Sequence, residues 1–264
     1  MDNFRLALIT GASSGLGREL SRQLAQQKIP LLLTGRDREA LQEIVQECSP
    51  FTKTSSIRAD LLEKKERHNL VSKIHKEVPD LIINCAGAGI YGNILETETE
   101  KQLSLLDLNA RTAIEISIES ARTLYSRKLP GVILNVSSVA GFYLFPTLTM
   151  YASAKACLTL FSQSFDREME PYGIRILASC PGQIETSFVE RAGGKKGYSR
   201  SWTMSKEYAA KRILRQIAMR KALDVFDWRY KLSLFLTHFV PKRVLAKRLA
   251  SEIEERYQPK GFIS

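Results

Sequence analysis

Short apolar runs alternate with longer amphipathic segments along most of this chain. Strand candidates fall at residues 6–10, 30–34, 54–58, 80–84, 131–136 and 173–179, and the first is a short apolar run of the kind that forms a strand buried on both faces. Most segments between them repeat apolar residues at the spacing of a helix. Because strands that alternate with helices form parallel sheets through right-handed crossovers, the pattern predicts an α/β fold, a doubly wound parallel sheet with helices on both faces.

A glycine-rich turn joins the first predicted strand to the first predicted helix. Leu6–Thr10 runs directly into Gly11–Gly17, and the residues that follow, Arg18–Leu24, have helical periodicity. Glycine allows the backbone to turn tightly and to approach a ligand closely, while the start of a helix presents unpaired N–H groups to an anion. A strand, a glycine turn and a helix in this order predict a pyrophosphate cradle, and therefore a dinucleotide site.

Tyr151 and Lys155 are four residues apart, a short distance downstream of Ser137 and Ser138. On a helix this spacing places the phenol and the ammonium on one face. The pKa of an ordinary tyrosine is about 10, and a fixed cation beside it favours the phenolate, which would allow acid–base catalysis near neutral pH. The alternative is a helix that carries the two residues at a common spacing and performs no chemistry.

The glycine turn and the Tyr-x-x-x-Lys pair together resemble motifs of the short-chain dehydrogenase/reductase family. The turn has the order Gly-x-x-x-Gly-x-Gly, as in the family's cofactor loop, rather than the commoner Gly-x-Gly-x-x-Gly. The resemblance covers almost all of residues 4–190 and includes four further segments in the expected order, namely Asp60-Leu61, Asn84-Cys85-Ala86-Gly87, Asn109, and Pro181-Gly182 with Thr186. It implies a Rossmann-like fold, a nicotinamide cofactor, a small-molecule substrate and a homo-oligomer.

The resemblance also assigns site residues. The positions that match the family's catalytic tetrad are Asn109, Ser138, Tyr151 and Lys155. The positions that match its cofactor contacts are, besides that Tyr and Lys, Gly11, Ser13, Ser14, Gly15, Leu16, Gly17, Asp60, Leu61, Asn84, Ala86, Gly87, Pro181, Gly182 and Thr186. No metal ion is implied.

The implied mechanism is a hydride transfer from NADPH to a substrate carbonyl carbon, with Tyr151 protonating the oxygen as general acid. Ser138 hydrogen-bonds the same oxygen, while Lys155 lowers the pKa of Tyr151 and binds the nicotinamide ribose. Asn109 is expected to hold a water that resupplies Lys155 with protons. Adjacent residues at a strand end point to opposite sides, so only one of Ser137 and Ser138 faces the site, and the family's catalytic serine is the second.

Gly35, Arg36 and Asp37 follow the second predicted strand, where dinucleotide folds select between NAD and NADP. An acidic side chain there binds the ribose 2′-hydroxyl of NAD, and a nearby arginine favours the 2′-phosphate of NADP. The family's acid position is Gly35 here, and Arg36 can pair with the phosphate or lie over the adenine, so NADP(H) is favoured over NAD(H). Asp37 leaves two alternatives open, an NAD-type contact or capping of the next helix.

Charge is distributed unevenly along the 264 residues. Residues 1–190 carry 21 basic and 22 acidic side chains, whereas residues 191–264 carry 18 basic and 6 acidic. A basic segment can bind nucleic acid, but this one contains no recognisable nucleic-acid module, so no such partner is expected. The four cysteines have neither metal-ligand spacing nor a paired framework, and no apolar run is long enough to span a bilayer. With the first strand only a few residues after Met1, we expect a cytoplasmic protein with reduced thiols and no signal peptide.

Residues 191–264 are expected to extend the same domain after a dinucleotide-binding and catalytic core over residues 1–190. The segment Ala192–Ser199 is glycine-rich and basic, which is typical of a substrate lid or of a solvated loop. Thr186, just before it, is expected to bond the nicotinamide carboxamide, to cap the next helix, or both.

Two basic helices are predicted in this C-terminal extension. The first spans Lys206 to Lys221, and the second carries Trp228, Leu232 and Phe235 at helical spacing. They either cover the substrate cleft or a subunit interface, which we favour, or make peripheral membrane contact through residues 206–257. Both interpretations place a large apolar surface near the lid and indicate a lipophilic ketone or 3-oxoacyl substrate. The alternative function is a non-catalytic nucleotide sensor or a membrane-surface adaptor on the same fold.

Overall fold

A computed structural model of the chain describes residues 4–194 and 203–236. Its centre is a parallel sheet of seven strands in the order β3-β2-β1-β4-β5-β6-β7. The strands are β1 (Ala7–Thr10), β2 (Leu31–Gly35), β3 (Thr54–Arg58), β4 (Leu81–Asn84), β5 (Gly131–Val136), β6 (Ile174–Cys180) and β7 (Leu223–Val225). The helices are α1 (Gly15–Gln26), α2 (Arg38–Cys48), α3 (Lys64–Glu77), α4 (Thr99–Leu106), α5 (Thr112–Ser126), α6 (Thr149–Met169), α7 (Phe188–Arg191), α8 (Lys206–Ala218) and α9 (Trp228–Leu236).

The sheet confirms the predicted doubly wound, Rossmann-like architecture. Each of the six predicted strands is present within one residue of its expected bounds. The seventh strand, β7, was not predicted, because three residues are too few to show a periodic pattern. It forms because Leu223 and Val225 lie in register beside Ala178 and Cys180 at the edge of the sheet.

The strand order reverses between β1 and β4, and this reversal opens a crevice at the carboxyl ends of the strands. The Thr10 hydroxyl ties the two strand ends together, because its oxygen accepts hydrogen bonds from the N–H groups of Cys85 at 3.0 Å and Ala86 at 3.1 Å. The glycine turn after β1 and the segment after β4 are thereby held side by side at the crevice.

Apolar side chains on the two faces of the sheet form separate cores. On one face, α1 and α8 pack together over the sheet through residues such as Leu20 and Ile213, which are fully buried. On the other face, α3 and α5 contribute Leu70 and Leu124 to a second buried cluster. Because α8 completes the first core and β7 extends the sheet, residues 206–225 are an integral part of this fold.

The C-terminal helices differ in detail from their prediction. The first, α8, begins at Lys206 as expected, but it ends at Ala218 because Arg220 has a φ of +48°, which a right-handed helix cannot accommodate. The predicted lid residues 195–199 and the part of the proposed membrane-contact segment after residue 236 lie outside the described residues. Within the described ranges, no helix is both long enough and apolar enough to cross a bilayer.

All four cysteines are unpaired thiols. Burial raises the pKa of Cys180 to about 11 and the pKa of Cys85 to about 12, so both thiols stay protonated and inert near neutral pH. This agrees with the expected reduced thiols. In the described part of the chain, no three His, Cys, Asp or Glu side chains are grouped so that they could hold a metal ion.

Candidate active site

The glycine turn after β1 is packed too tightly for larger residues. Gly11 has a φ of +67°, and a Cβ there would lie 2.9 Å from the Ala86 Cα. A Cβ on Gly17 would lie 2.3 Å from the carbonyl oxygen of Gly11, which is closer than real Cβ atoms approach. Both glycines are therefore required by the close return of the turn onto the strand ends, which brings the start of α1 to the crevice.

The start of α1 presents backbone donors to the crevice. Ser14 is the N-cap residue, but its side chain makes no capping hydrogen bond, and no acidic residue occupies the first turn. Gly15, Leu16 and Gly17 line the cavity that fills the crevice. The first-turn N–H groups and the positive end of the helix dipole are therefore available to an anion, as a diphosphate requires.

The end of β2 brings a glycine, an arginine and an aspartate to the cavity. A Cβ on Gly35 would lie 2.8 Å from the Ser13 Oγ, so this glycine allows the turn after β1 to pack against the strand. The Asp37 carboxylate caps α2, where its Oδ1 accepts a hydrogen bond from the Ala40 N–H at 3.1 Å. This confirms the capping alternative for Asp37. Arg36 is exposed and lines the cavity.

Tyr151 and Lys155 lie on the first two turns of α6, as their spacing predicted. The Lys155 Nζ is 5.7 Å from the centroid of the Tyr151 ring, so the two side chains share one face of the helix. Lys155 is buried, and its Nζ donates a hydrogen bond to the Val136 carbonyl at 2.8 Å, at the end of β5. Both residues line the cavity.

The pKa of Tyr151 is raised in this structure, whereas the sequence predicted a lowered value. Burial raises the pKa of Tyr151 to about 12, and a hydrogen bond with Ser138 opposes this only in part. The ammonium of Lys155 is directed at the Val136 carbonyl, and burial lowers the pKa of Lys155 itself to about 8. Desolvation therefore outweighs the expected charge effect, and Tyr151 is held as a neutral phenol.

Ser137 and Ser138 point in opposite directions, as predicted. Ser137 is buried, donates from its Oγ to the Lys155 carbonyl at 2.9 Å and shares a hydrogen bond of 2.6 Å with the Thr159 hydroxyl. Ser138 instead faces the cavity, where its hydroxyl lowers the pKa of the Tyr151 phenol and its Oγ accepts a hydrogen bond from the Ala140 N–H at 3.1 Å. The second serine therefore faces the proposed acid, while the first fastens α6 to the end of β5.

Asn109 lies in a π-helical turn, Asp107–Arg111, between α4 and α5. Its side-chain amide donates to two backbone carbonyls, one of them that of Ala88 at 2.8 Å, and its Oδ1 accepts from the Ala88 N–H at 3.2 Å. A Cβ on Gly87 would lie 2.8 Å from this Oδ1 and 3.7 Å from the Lys155 Nζ. Asn109 thus holds the turn after β4 beside Lys155, and its amide nitrogen donates to the carbonyls of Ala88 and Leu105.

Asn84 differs from the other predicted cofactor residues, because its side chain does not line the cavity. Its side chain is buried between the sheet and α5, where its Nδ2 donates to the Asn135 Oδ1 at 2.8 Å and to the Ser117 Oγ at 3.1 Å. Asn84 and Asn135 are register partners on β4 and β5, and Ser117 is on α5. The Asn84 side chain therefore links two strands and a helix, and its contact with a cofactor stays a prediction.

The segment after β6 forms the opposite wall. The Thr186 Oγ1 accepts a hydrogen bond from the Phe188 N–H at 3.3 Å, although Ser187 is the N-cap residue of α7. A Cβ on Gly15 would lie 3.3 Å from the Thr186 Cγ2, so Thr186 also sits against the start of α1. The Phe188 ring lies 5.4 Å from the Tyr151 ring. Gly182 packs so tightly on the Tyr230 ring of α9 that an added Cβ would lie 2.2 Å from a ring carbon.

One cavity of about 910 Å³ brings the predicted site together. Its lining includes every predicted catalytic residue and every predicted cofactor residue except Asn84, namely Gly11, Ser13, Ser14, Gly15, Leu16, Gly17, Arg36, Asp60, Leu61, Ala86, Gly87, Asn109, Ser138, Tyr151, Lys155, Pro181, Gly182 and Thr186.

Sequence reasoning missed the apolar side of this cavity. Its lining also includes Tyr91, Tyr143, Phe145, Leu148, Phe188, Val189 and Tyr230, together with one further cation, Arg191. These residues come from four separate segments, so no local pattern connects them. One signal was available, since the aromatic run Phe142-Tyr143-Leu144-Phe145 follows directly after the Ser138 segment.

Comparisons with known proteins identify the family of this chain. A family model for short chain dehydrogenases matches residues 5–196. The chain belongs to the short-chain dehydrogenase family. An uncharacterized oxidoreductase of Staphylococcus epidermidis is 27% identical over 188 residues, which are 70% of this chain and 80% of that protein. One of Staphylococcus saprophyticus is 29% identical over 187 residues, 69% of this chain and 79% of that protein. Family membership makes the chain an oxidoreductase of the dehydrogenase/reductase type.

Two solved structures of short-chain dehydrogenase type share the fold over nearly the whole chain. A short-chain dehydrogenase from Sphingobium yanoikuyae, in complex with NADPH, has a TM-score of 0.79 and is 22% identical, with 98% of each chain covered. The bulky-bulky ketone specific alcohol dehydrogenase from Comamonas testosteroni has a TM-score of 0.77 and is 21% identical, again with 98% of each chain covered. These likenesses confirm the predicted fold.

Proposed function

We propose that the chain is an NADP(H)-dependent oxidoreductase that transfers a hydride between NADPH and a carbonyl or secondary alcohol, with a lipophilic ketone or 3-oxoacyl compound as substrate. The observation that carries this proposal is that Tyr151, Ser138 and Lys155 line the same cavity as the glycine turn and the start of α1. The NADPH complex of a relative with the same fold supports it. We propose a homo-oligomer of single-domain subunits, each with a core over residues 1–190 and an extension over 191–264.

The cavity fits a nicotinamide dinucleotide. The turn from Gly11 to Gly17 leaves no room for a Cβ at either end, and the first-turn N–H groups of α1 have no side-chain partner, as a bound diphosphate requires. When bound, the cofactor supplies or accepts the hydride. We assign the nicotinamide ribose to Lys155 and the carboxamide to Thr186, which lies against the start of α1.

Tyr151 holds the proton that the substrate oxygen needs. Because burial keeps its pKa near about 12, Tyr151 is a phenol at neutral pH and can act as general acid in ketone reduction. The hydrogen bond with Ser138 orients the phenol and keeps a second hydroxyl next to the reacting oxygen. Lys155 is charged below about pH 8, so its ammonium stabilises the phenolate that remains after the proton has left.

Arg36→Ala is expected to weaken NADPH binding by roughly 10- to 100-fold and NADH binding much less, because only NADPH carries a 2′-phosphate for the guanidinium. The Asp37 Oδ1 accepts the capping hydrogen bond of α2, which supports the NADP assignment. Fluorescence titration with both nucleotides measures the effect. Arg38→Ala, at the exposed arginine on the first turn of α2, is the matched control. An equal loss for both nucleotides would overturn the NADP preference.

The substrate class follows from the aromatic wall of the cavity. Tyr91, Phe145, Leu148 and Phe188 line it on the side of Tyr151, and such a wall excludes water from an apolar substrate. We expect NADPH consumption with medium- and long-chain ketones, steroid ketones or 3-oxoacyl thioesters, and little with acetone. If the protein bound NADPH but reduced none of these compounds, the nucleotide-sensing alternative would be favoured.

The two sides of α9 support two roles for this helix, covering the cleft and contacting a membrane. Tyr230 and Ser233 line the cavity, so this helix covers the cleft. Trp228 and Leu232 lie one turn apart on its other side and are 70% and 47% exposed. An exposed Trp and Leu on a strongly basic segment are typical of a helix that lies in a membrane interface. We therefore propose that the outer side of α9 contacts acidic lipid while its inner side closes the cleft.

Replacing Trp228 and Leu232 with serine is expected to reduce co-sedimentation with phosphatidylglycerol-containing vesicles several-fold, because two apolar anchors are lost while the basic charge is kept. The matched control is Phe51→Ser with Leu95→Ser, two apolar residues that are similarly exposed elsewhere. If both double variants bound these vesicles as well as the wild-type protein, the membrane contact would be wrong.

A further inference from the structure

Arg191 is a cation in the cavity to which the proposed reaction assigns no role. It is the last residue of α7, and its Nη1 donates a hydrogen bond to the Ser14 Oγ at 3.1 Å. Both residues line the cavity. The guanidinium therefore reaches across from the segment after β6 to the start of α1, where the proposed diphosphate site lies.

The distribution of positive charge singles out this residue. The cationic side chains among the described residues that line the cavity are Arg36, Lys155 and Arg191. Arg36 lies at the end of β2 and Lys155 lies on α6. The guanidinium of Arg191 extends from α7 to Ser14, the N-cap residue of α1. Arg18 is nearer to the glycine turn in sequence, but its guanidinium forms ion pairs with two glutamates of α2 at 3.0 and 2.5 Å. Arg191 is thus the side-chain cation placed to meet an anion at the start of α1.

The present partner of Arg191 does not balance its charge. No carboxylate of the described residues pairs with this guanidinium, and the Ser14 hydroxyl that it contacts is neutral. The start of α1 is the positive end of the helix dipole, so the guanidinium and the helix repel each other weakly at this distance. An anion between them would be attracted by both, and a guanidinium can contact a phosphate through two parallel hydrogen bonds.

We propose that Arg191 binds the diphosphate of the dinucleotide and closes the segment after β6 over it. The proposal rests on the proposed function, because it requires that a dinucleotide occupies the cavity. It assigns the diphosphate a side-chain ligand in addition to the backbone donors of α1. Since α7 also carries Phe188 and Val189 of the apolar wall, the same contact fixes that wall for the substrate.

The test compares Arg191→Met with the wild-type protein by calorimetric titration of three ligands, NADPH, NADH and adenosine 2′-monophosphate. Both dinucleotides contain the diphosphate, whereas adenosine 2′-monophosphate has the 2′-phosphate alone. We expect the variant to bind NADPH and NADH about 10- to 100-fold more weakly, by a similar factor for each, with the third ligand changed by less than about twofold. The matched control is Arg127→Met, an exposed arginine after α5 that does not line the cavity.

Arg191→Lys should recover only part of the affinity, because an ammonium cannot make the paired contact of a guanidinium. If Arg191→Met bound NADPH as tightly as the wild-type protein, the assignment would be wrong. It would also be wrong if only NADPH binding were weakened, because that result would mean a contact with the 2′-phosphate. Weaker binding of all three ligands together with a lowered Tm would contradict the assignment as well. A wild-type protein that binds no dinucleotide would instead refute the proposed function itself.

Discussion

Tyr151→Phe is expected to lower kcat for ketone reduction by about a thousandfold or more while NADPH binding stays nearly unchanged. The substitution removes a single oxygen, the one that donates the proton, and keeps the ring that packs 5.4 Å from Phe188. Because burial keeps the Tyr151 pKa at about 12, the phenol carries its proton at neutral pH. Steady-state kinetics with NADPH and fluorescence titration of the cofactor measure the two effects separately.

The matched control for this variant is Tyr125→Phe, which removes a phenol oxygen from an exposed tyrosine on α5 that does not line the cavity. It should reduce ketones at the wild-type rate. Wild-type turnover by Tyr151→Phe would show that another group donates the proton, and the roles of Ser138 and Lys155 would then need to be reassigned.

Lys155→Ala should impair both the chemistry and the binding of the cofactor. We expect kcat/KM to fall by roughly a thousandfold and NADPH to bind about tenfold more weakly, because the ammonium stabilises the phenolate and is our assigned ligand of the nicotinamide ribose. Lys155→Met keeps most of the buried apolar stem, so a comparison of the two variants separates the lost charge from the cavity that alanine leaves. Unaltered NADPH binding by Lys155→Met would contradict the ribose assignment.

The pH profile gives an independent test of the same residue. Burial lowers the pKa of Lys155 to about 8, so its ammonium is present below that pH and is lost as the pH rises through it. Tyr151 keeps its proton up to about pH 12 and does not limit the profile. For the wild-type protein we expect kcat/KM for ketone reduction to be level below about pH 8 and to fall above it. A level profile to pH 10 would contradict a catalytic charge on Lys155.

The features that follow from local rules could be predicted from the sequence. Five of the six predicted strands are rich in apolar residues, and the glycine turn after β1 has a recognisable spacing, so both leave a local pattern. The shared face of Tyr151 and Lys155 follows from helical spacing alone. Asp37 likewise caps α2 through a contact only three residues away.

The features that depend on tertiary packing could not be predicted. The edge strand β7 forms because it pairs with β6, and its three residues are too few to show a periodic pattern. The direction of the Tyr151 pKa depends on how far the site is desolvated, which sequence spacing does not reveal. The inward side chain of Asn84 and the reach of Arg191 to Ser14 depend on elements that are distant in sequence.

The central claim is that this cavity reduces a lipophilic ketone with NADPH and with Tyr151 as the proton donor. The most direct measurement is the loss of NADPH absorbance when bulky ketones, steroid ketones and 3-oxoacyl thioesters are added to the wild-type protein loaded with NADPH. We expect oxidation of NADPH with formation of an equal amount of alcohol by the wild-type protein, and none by Tyr151→Phe loaded to the same extent. Equal rates for the two proteins, or bound NADPH that no ketone oxidises, would contradict it.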